Sequence, residues 1–216
     1  MVNDSFEKEV NDKVRDNQAL PTKLDIPILK YFWQSNPLFA SNKNSIPRFL
    51  RKIKVLENFS DNELRVLSKS MHFRQFTDGE KIFNQNDVGV GFYFIYSGRV
   101  DIIVEDEQIV KDSNASIPKM NHIVSLDKMD YFGELALLQQ QSIRNASAVA
   151  RESCQLLGIF KPDLENLINS NPTVATRLLQ AVSVITANRL FSLTNEVRRL
   201  KFKIKELEVK NGNNNK

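Results

Sequence analysis

The chain is poor in the residues that carry covalent and metal chemistry. It has one cysteine, Cys154, in 216 residues, which excludes an intrachain disulfide and points to a reducing compartment. Cys154 opens the apolar run Cys-Gln-Leu-Leu-Gly-Ile-Phe and reads there as a small buried hydrophobe rather than a reactive thiol. The two histidines, His72 and His122, stand apart with no ligand spacing around them, so no metal site is expected. The chain has no G-x-x-x-x-G-K-[ST], G-x-S-x-G, G-x-G-x-x-G or H-E-x-x-H pattern; no catalytic residue, no cofactor and no enzyme are expected. An uninterrupted apolar run of ~18 residues is also missing, so no membrane span is expected. The N-terminus, MVNDSFEKEV, lacks a basic region leading into an apolar one, and a cytoplasmic protein without a signal peptide is expected. Nor is there a large excess of one charge. Lys+Arg number 30 against 26 Asp+Glu, a balance that does not of itself imply nucleic acid.

What the chain does have is core-forming material, with 41% hydrophobic residues including 14 phenylalanines. Residues 1–45 read as a polar arm with a short docking helix over 26–39, interrupted by Pro27 and Pro37. From residue 46 the period is helical (Phe49, Leu50, Ile53, Leu56), and Ser60-Asp61-Asn62-Glu63 has the form of a capping box opening a second helix. Between 73 and 160 the pattern changes to short β-branched and aromatic runs: 73–76, 81–83, 91–96, 99–105, 108–110, 122–126, 146–150 and 155–160. Turn residues separate them at Asp78-Gly79, Asn86-Asp87 and Ser97-Gly98, with a longer polar loop over 112–121. Many short strands with polar turns predict a β-barrel or sandwich. The helical period then returns and holds to about residue 210. Leu190, Leu193, Val197, Leu200, Ile204 and Leu207 are spaced 3, 4, 3, 4, 3, the seam of a coiled coil. Leu179, Ser183 and Thr186 extend the seam toward the N-terminus, so a homodimer through residues 179–207 is expected. The basic residues 198–210 are interleaved with Glu196, Glu206 and Glu208 and read as a solvated flank of that helix.

One stretch carries ligand chemistry. Asp130-Tyr131-Phe132-Gly133-Glu134-Leu135-Ala136-Leu137-Leu138 is followed by Arg144-Asn145-Ala146-Ser147-Ala148. A glycine admits close backbone approach, and the N–H groups of the short helix after it can face an anion. Arg144 offers a forked, permanently charged donor to a phosphate. A carboxylate beside a phosphate site is useful if it accepts hydrogen bonds from a hydroxyl, as a ribose supplies. The set describes a pocket for a sugar phosphate.

These residues resemble the phosphate-binding cassette of the cyclic nucleotide-binding domain family, which includes the bacterial catabolite activator, the regulatory subunits of cAMP-dependent protein kinase and cyclic-nucleotide-gated channels. The segments 76–83 and 92–100 are similar to that family's early strands, and 56–60 to its lead-in helix, so the resemblance spans roughly 46–200. It implies an α+β fold: a jelly-roll-like cyclic nucleotide-binding β-barrel flanked by N-terminal helices and a long C-terminal dimerisation helix. The domain boundaries that follow are 1–45, 46–171, 172–210 and a disordered tail over 211–216. The resemblance further implies a cassette of Phe132, Gly133, Glu134, Leu135 and Ala136. Glu134 would accept from the ribose 2′-hydroxyl, Arg144 would pair with the cyclic phosphate, and amides around Gly133, Leu135, Asn145 and Ala146 would complete the cradle. Val124 and Ser125 would line the base pocket, and Thr194 and Asn195 would reach the base from the long helix. The expected ligand is cAMP rather than cGMP, with an unidentified downstream protein as partner and no DNA-binding domain after the helix. The chain departs from the family pattern in three places: Gln139–Ile143 lacks the common Gly and Pro, Met129 replaces a turn glycine, and Asn145 follows the arginine.

Overall fold

The computed structural model describes residues 45–109, 116–140 and 142–213. The N-terminal arm and its docking helix lie outside the described residues, as does the tail beyond 213. Helix α1 (Ser45–Leu50) and a 3₁₀ turn (Lys54–Leu56) lead into α2 (Asp61–Lys69). The capping box is formed. The Glu63 amide donates to Ser60 Oγ at 3.3 Å, and the Ser60 amide donates to Glu63 Oε2 at 2.7 Å. Two otherwise unpaired N–H groups at the start of α2 are thereby satisfied.

Eight strands follow. They are β1 (His72–Phe76), β2 (Lys81–Phe83), β3 (Val88–Gly89), β4 (Gly91–Ile109), β5 (Ser116–Leu126), β6 (Tyr131–Phe132), β7 (Ser142–Ile143) and β8 (Ser147–Phe160). All pairings are antiparallel. The main path is β1–β8–β4–β5, with β2 also on β8 and β6 also on β4, while β3 and β7 form a separate pair. Among the described residues this path does not close on itself, so the barrel is jelly-roll-like rather than a continuous cylinder.

Several strand boundaries differ from the sequence expectation. Ser97-Gly98 does not end a strand; β4 runs through it, with Ser97 opposite Gln155 and Arg99 opposite Arg151. Gly98 has φ 83°, and a Cβ there would lie 2.8 Å from backbone atoms of Ser153 and Cys154, so the glycine permits a bulge where a turn was expected. The runs 146–150 and 155–160 are likewise one strand, β8, with Glu152 at φ 62° opposite that bulge. Part of the expected polar loop, residues 116–121, belongs to β5.

The run Phe92-Tyr93-Phe94-Ile95 explains how the barrel meets the helices. All four side chains are buried, and strand alternation sends them to opposite faces. Tyr93 and Ile95 join the barrel interior with Phe83, Phe132, Ala148 and Leu156. Phe92 and Phe94 join a second cluster with Leu56, Leu64, Leu164 and Leu178 from the helices. Cys154 is fully buried in the barrel, and burial pushes its thiol up to about 11, so it stays protonated and inert.

After β8 come α4 (Lys161–Ser170) and the long α5 (Pro172–Asn213). Asp163 caps the entry to α4 by accepting from the Phe160 amide at 2.9 Å, and it also meets His72 Nε2 at 2.9 Å. Along α5, Val174, Ala175, Leu178, Ala181, Val182 and Ile185 are buried, and no described residue after Ile185 is. No helix among the described residues is long and apolar enough to cross a membrane.

Candidate ligand-binding site

Three short elements bring the cassette together. The turn before it places Met129 at φ 78°, stabilised by the Met129 amide donating to the Ile95 carbonyl at 2.9 Å and the Asp127 amide donating to Asp130 Oδ2 at 2.8 Å. Strand β6 then pairs Phe132 with Tyr93, and their rings stack at 5.4 Å. The single-turn helix α3 (Leu135–Leu138) follows Glu134 and buries Ala136 and Leu137.

Arg144 enters from the other side. Its backbone is pinned by the loop before β3: the Arg144 amide donates to the Asp87 carbonyl at 2.8 Å, and the Asn86 amide donates to the Arg144 carbonyl at 2.8 Å. The side chain is 5% exposed. It donates to the carbonyls of Gly91 at 2.8 Å and Gly133 at 3.3 Å, and its guanidinium lies 3.9 Å from the centre of the Phe83 ring. Glycines make room for it. A Cβ on Gly133 (φ 81°) would fall 2.7 Å from the guanidinium, and one on Gly89 would fall 2.8 Å from it. Backbone carbonyls satisfy N–H groups without cancelling the positive charge, so a guanidinium sequestered this way favours a neighbouring anion.

Glu134 is 4% exposed and faces the same cavity. That cavity has a volume of about 740 Å³ and lies between the barrel and α5, a size suited to a small organic ligand. Its polar end is Gly133, Glu134, Arg144 and Asn145; Ile102, Val124, Leu126 and Ile143 make it apolar on the barrel side. Burial pushes the Tyr131 phenol up from its ordinary value, so this hydroxyl is uncharged at neutral pH.

Of the residues singled out from sequence, Val124, Phe132, Gly133, Glu134, Leu135, Arg144, Asn145 and Ala146 line the cavity, while Ser125, Ala136, Thr194 and Asn195 do not. Neighbouring strand residues face opposite ways, so with Val124 toward the cavity Ser125 turns away and donates its hydroxyl to Asp101 at 2.6 Å. Ala136 is fully buried beneath the cassette. Thr194 hydrogen-bonds back to the Leu190 carbonyl at 2.9 Å. The part of α5 that covers the cavity lies earlier, at Ile185, Thr186, Asn188, Arg189, Leu190, Ser192 and Leu193.

Sequence reasoning missed Arg189. Its Nη1 meets Glu134 Oε2 at 2.5 Å, and its Nη2 donates to the Tyr131 carbonyl at 2.8 Å. The 55 residues separating it from Glu134 carry no spacing signal, and on the helix surface it was one of several basic residues.

Residues 73–171 match the family model described as the cyclic nucleotide-binding domain. This part of the chain is similar to the cyclic nucleotide-binding domain family. Over 91 residues it is 38% identical to a cAMP-dependent protein kinase regulatory subunit of Dictyostelium discoideum, an alignment covering 42% of this chain and 26% of that relative's length. Among solved structures it is similar to the catabolite activator protein of Thermus thermophilus, with TM-score 0.56, 28% identity and coverage of 68% and 63% of the two chains. A cyclic nucleotide-binding domain from Methylobacillus flagellatus shares the fold at TM-score 0.58, with 19% identity and coverage of 71% and 81%. Glu134 and Arg144, at the polar end of the cavity, lie within the matched residues 73–171, and the α5 wall of the cavity lies beyond them.

Proposed function

We propose that this chain is a non-catalytic cytoplasmic receptor that binds cAMP and signals as a homodimer through α5 to a partner protein. The observation that carries the ligand assignment is the convergence of a buried guanidinium and a buried carboxylate on one cavity. Arg144 pairs with the cyclic phosphate, Glu134 accepts from the ribose 2′-hydroxyl, and the apolar wall of Ile102, Val124, Leu126 and Ile143 receives the base. The preference for cAMP over cGMP rests on the regulatory-subunit relative, which is named for cAMP dependence.

The dimer rests on the exposed seam. Leu190, Val197 and Ile204 occupy one heptad position and Leu193, Leu200 and Leu207 the other, and all are exposed in the single chain. β-Branched residues at the first position, here Val197 and Ile204, with leucine at the second favour two parallel strands. In that register Glu196 faces Lys201 of the second copy, and Lys203 faces its Glu208, two attractive pairs repeated by symmetry. Leu190 and Leu193 belong both to the seam and to the cavity wall, so ligand and dimer share a surface.

A second reading, a ligand-free scaffold that uses the fold for assembly, draws on the Arg189 contact that already engages Glu134. Calorimetric titration with cAMP, cGMP and cyclic dinucleotides separates the two. Saturable 1:1 binding per chain, tightest for cAMP, is expected. Binding of none of them at millimolar concentration overturns the receptor reading, and tighter binding of another ligand overturns the choice of cAMP.

A further inference from the structure

The seam occupies one side of the second half of α5, and another row runs along the opposite side. Phe191, Asn195, Arg198, Phe202, Lys205 and Val209 are spaced 4, 3, 4, 3, 4. On an α-helix they fall within about 40° of one line, roughly opposite the seam. All six are exposed, Phe191 and Phe202 each at 67%. A repeated apolar row rimmed by charge marks an interaction surface. The charges within the row, Arg198 and Lys205, are both basic, and Glu206 stands at its edge. Glu196 and Glu208 are paired at the seam in the dimer register above, so the outer face keeps a positive excess.

That excess narrows what covers it. A second outer face would bring two basic surfaces together, and they repel. In a two-stranded coil the outer faces point away from each other, so a flat bilayer meets only one of them. The chain itself carries a complementary sequence, in residues that precede the described ones. Val2, Phe6, Val10 and Val14 recur every four residues. On a helix they would form one stripe, edged by Glu7, Glu9 and Asp16, with Lys8 and Arg15 on the far side. A stripe this sparse builds no core of its own and gains order only against a partner. The reach is sufficient. Phe49 and Leu50 of α1 share a cluster with Ile185, so the arm departs near the root of the projecting helix. Val209 lies about 36 Å beyond Ile185. Residues 21–44 span up to about 80 Å when extended, and about 50 Å with 26–39 helical.

We propose that residues 1–20 dock as a helix along the Phe191–Phe202–Val209 face of α5. Phe6 and the valines cover the two phenylalanines, and Glu9 and Asp16 lie toward Arg198 and Lys205. The arm then sheathes the outside of the coil. This interface goes beyond the ligand reading and takes from it only the use of the seam by a dimer.

Amide exchange of residues 1–20 in the full chain without ligand, set against the free peptide 1–20, tests the docking. Protection of about tenfold or more over the peptide is expected in wild type. Phe202→Ser and Phe6→Ser should each return the arm to within about twofold of the peptide rate, while Leu200→Ala, on the seam, should leave it protected. Phe202 does not line the cavity, so cAMP affinity should be the same in Phe202→Ser and wild type. An arm that exchanges at the peptide rate in wild type overturns the proposal, and so does protection that survives Phe202→Ser. Phe202-dependent binding of the wild-type chain to vesicles of equal phosphatidylcholine and phosphatidylserine, with the arm unprotected, overturns it in favour of a membrane. Light scattering on the same samples separates this interface from the seam: a monomeric wild type whose arm is protected and is released by Phe202→Ser overturns the dimer and upholds the docking.

Discussion

The two halves of α5 have similar apolar content and different surroundings. From Val174 to Ile185 the helix buries six hydrophobic side chains against α2, α4 and the outer face of the barrel. From Leu190 to Leu207 it carries six more at heptad spacing, and each is about half exposed or more. Apolar periodicity states that a helix has a face to cover. It does not state whether the cover comes from the same chain. In the first half the cover is intrachain; in the second the described residues supply none, and the proposed dimer does.

Removing the second half is the strongest way to break this comparison. A chain truncated after Phe191 is expected to be monomeric by light scattering, to keep a folded barrel by near-ultraviolet dichroism, and to bind cAMP more weakly because Ser192 and Leu193 are lost from the cavity wall. A truncated chain that still self-associates would move the dimer interface elsewhere.

The same substitution made in each half sharpens the contrast. Leu178→Ala removes a fully buried side chain and should cost about 2–5 kcal/mol of stability in denaturant unfolding. Leu200→Ala should change the stability of the isolated subunit by about 0.5 kcal/mol or less while weakening self-association. Equal destabilisation of the subunit by both would mean that the second half packs on its own barrel.

Arg144→Ala asks whether the cavity next to the junction of the halves is a ligand site. Loss of a charge-assisted contact of about 1.5–3 kcal/mol lowers affinity by roughly tenfold or more. Undiminished cAMP affinity would reject the cassette assignment.

The smallest effect concerns the anchoring of the first half. Arg177 on α5 reaches Glu63 Oε1 on α2 at 2.7 Å. The Ser60 amide and hydroxyl, with Arg177 adding to them, hold the Glu63 carboxyl below its ordinary value. A carboxylate whose folded value lies below its unfolded one stabilises the fold at neutral pH. That contribution is lost as pH falls through the folded value. Wild type should therefore lose a little more stability on acidification than Glu63→Gln in parallel thermal melts, and superimposable pH profiles would assign Glu63 no linkage.

The order of elements was legible because each signal is local. The capping box at Ser60, the extended character of the strand runs and the apolar period of the long helix depend on neighbours within a few residues, and each is present in the structure. The long strands were not legible. Ser97-Gly98 has the composition of a turn, and only pairing with β8 across the bulge keeps β4 continuous. In the site, Gly133, Glu134 and Arg144 were readable from residue type and motif, whereas the cavity wall on α5 was displaced from Thr194 and Asn195 to the stretch 185–193. Where a helix crosses a cavity depends on the angle at which it leaves the core, which no window of sequence contains.

By itself, then, the sequence determined which segments become strand and helix, the chemistry of the Gly133–Glu134–Arg144 cassette and the presence of an apolar seam, since all of these follow from short-range sterics, hydrogen bonding and periodicity. Tertiary structure alone decided that the Arg144 guanidinium is wedged between Gly89 and Gly133, that Ser125 turns away from the cavity, and that Arg189 meets Glu134 across 55 residues of chain. The physical reason is that strand register and helix direction are set by the packing of the whole core, and contacts between distant residues come into being only once that core has formed.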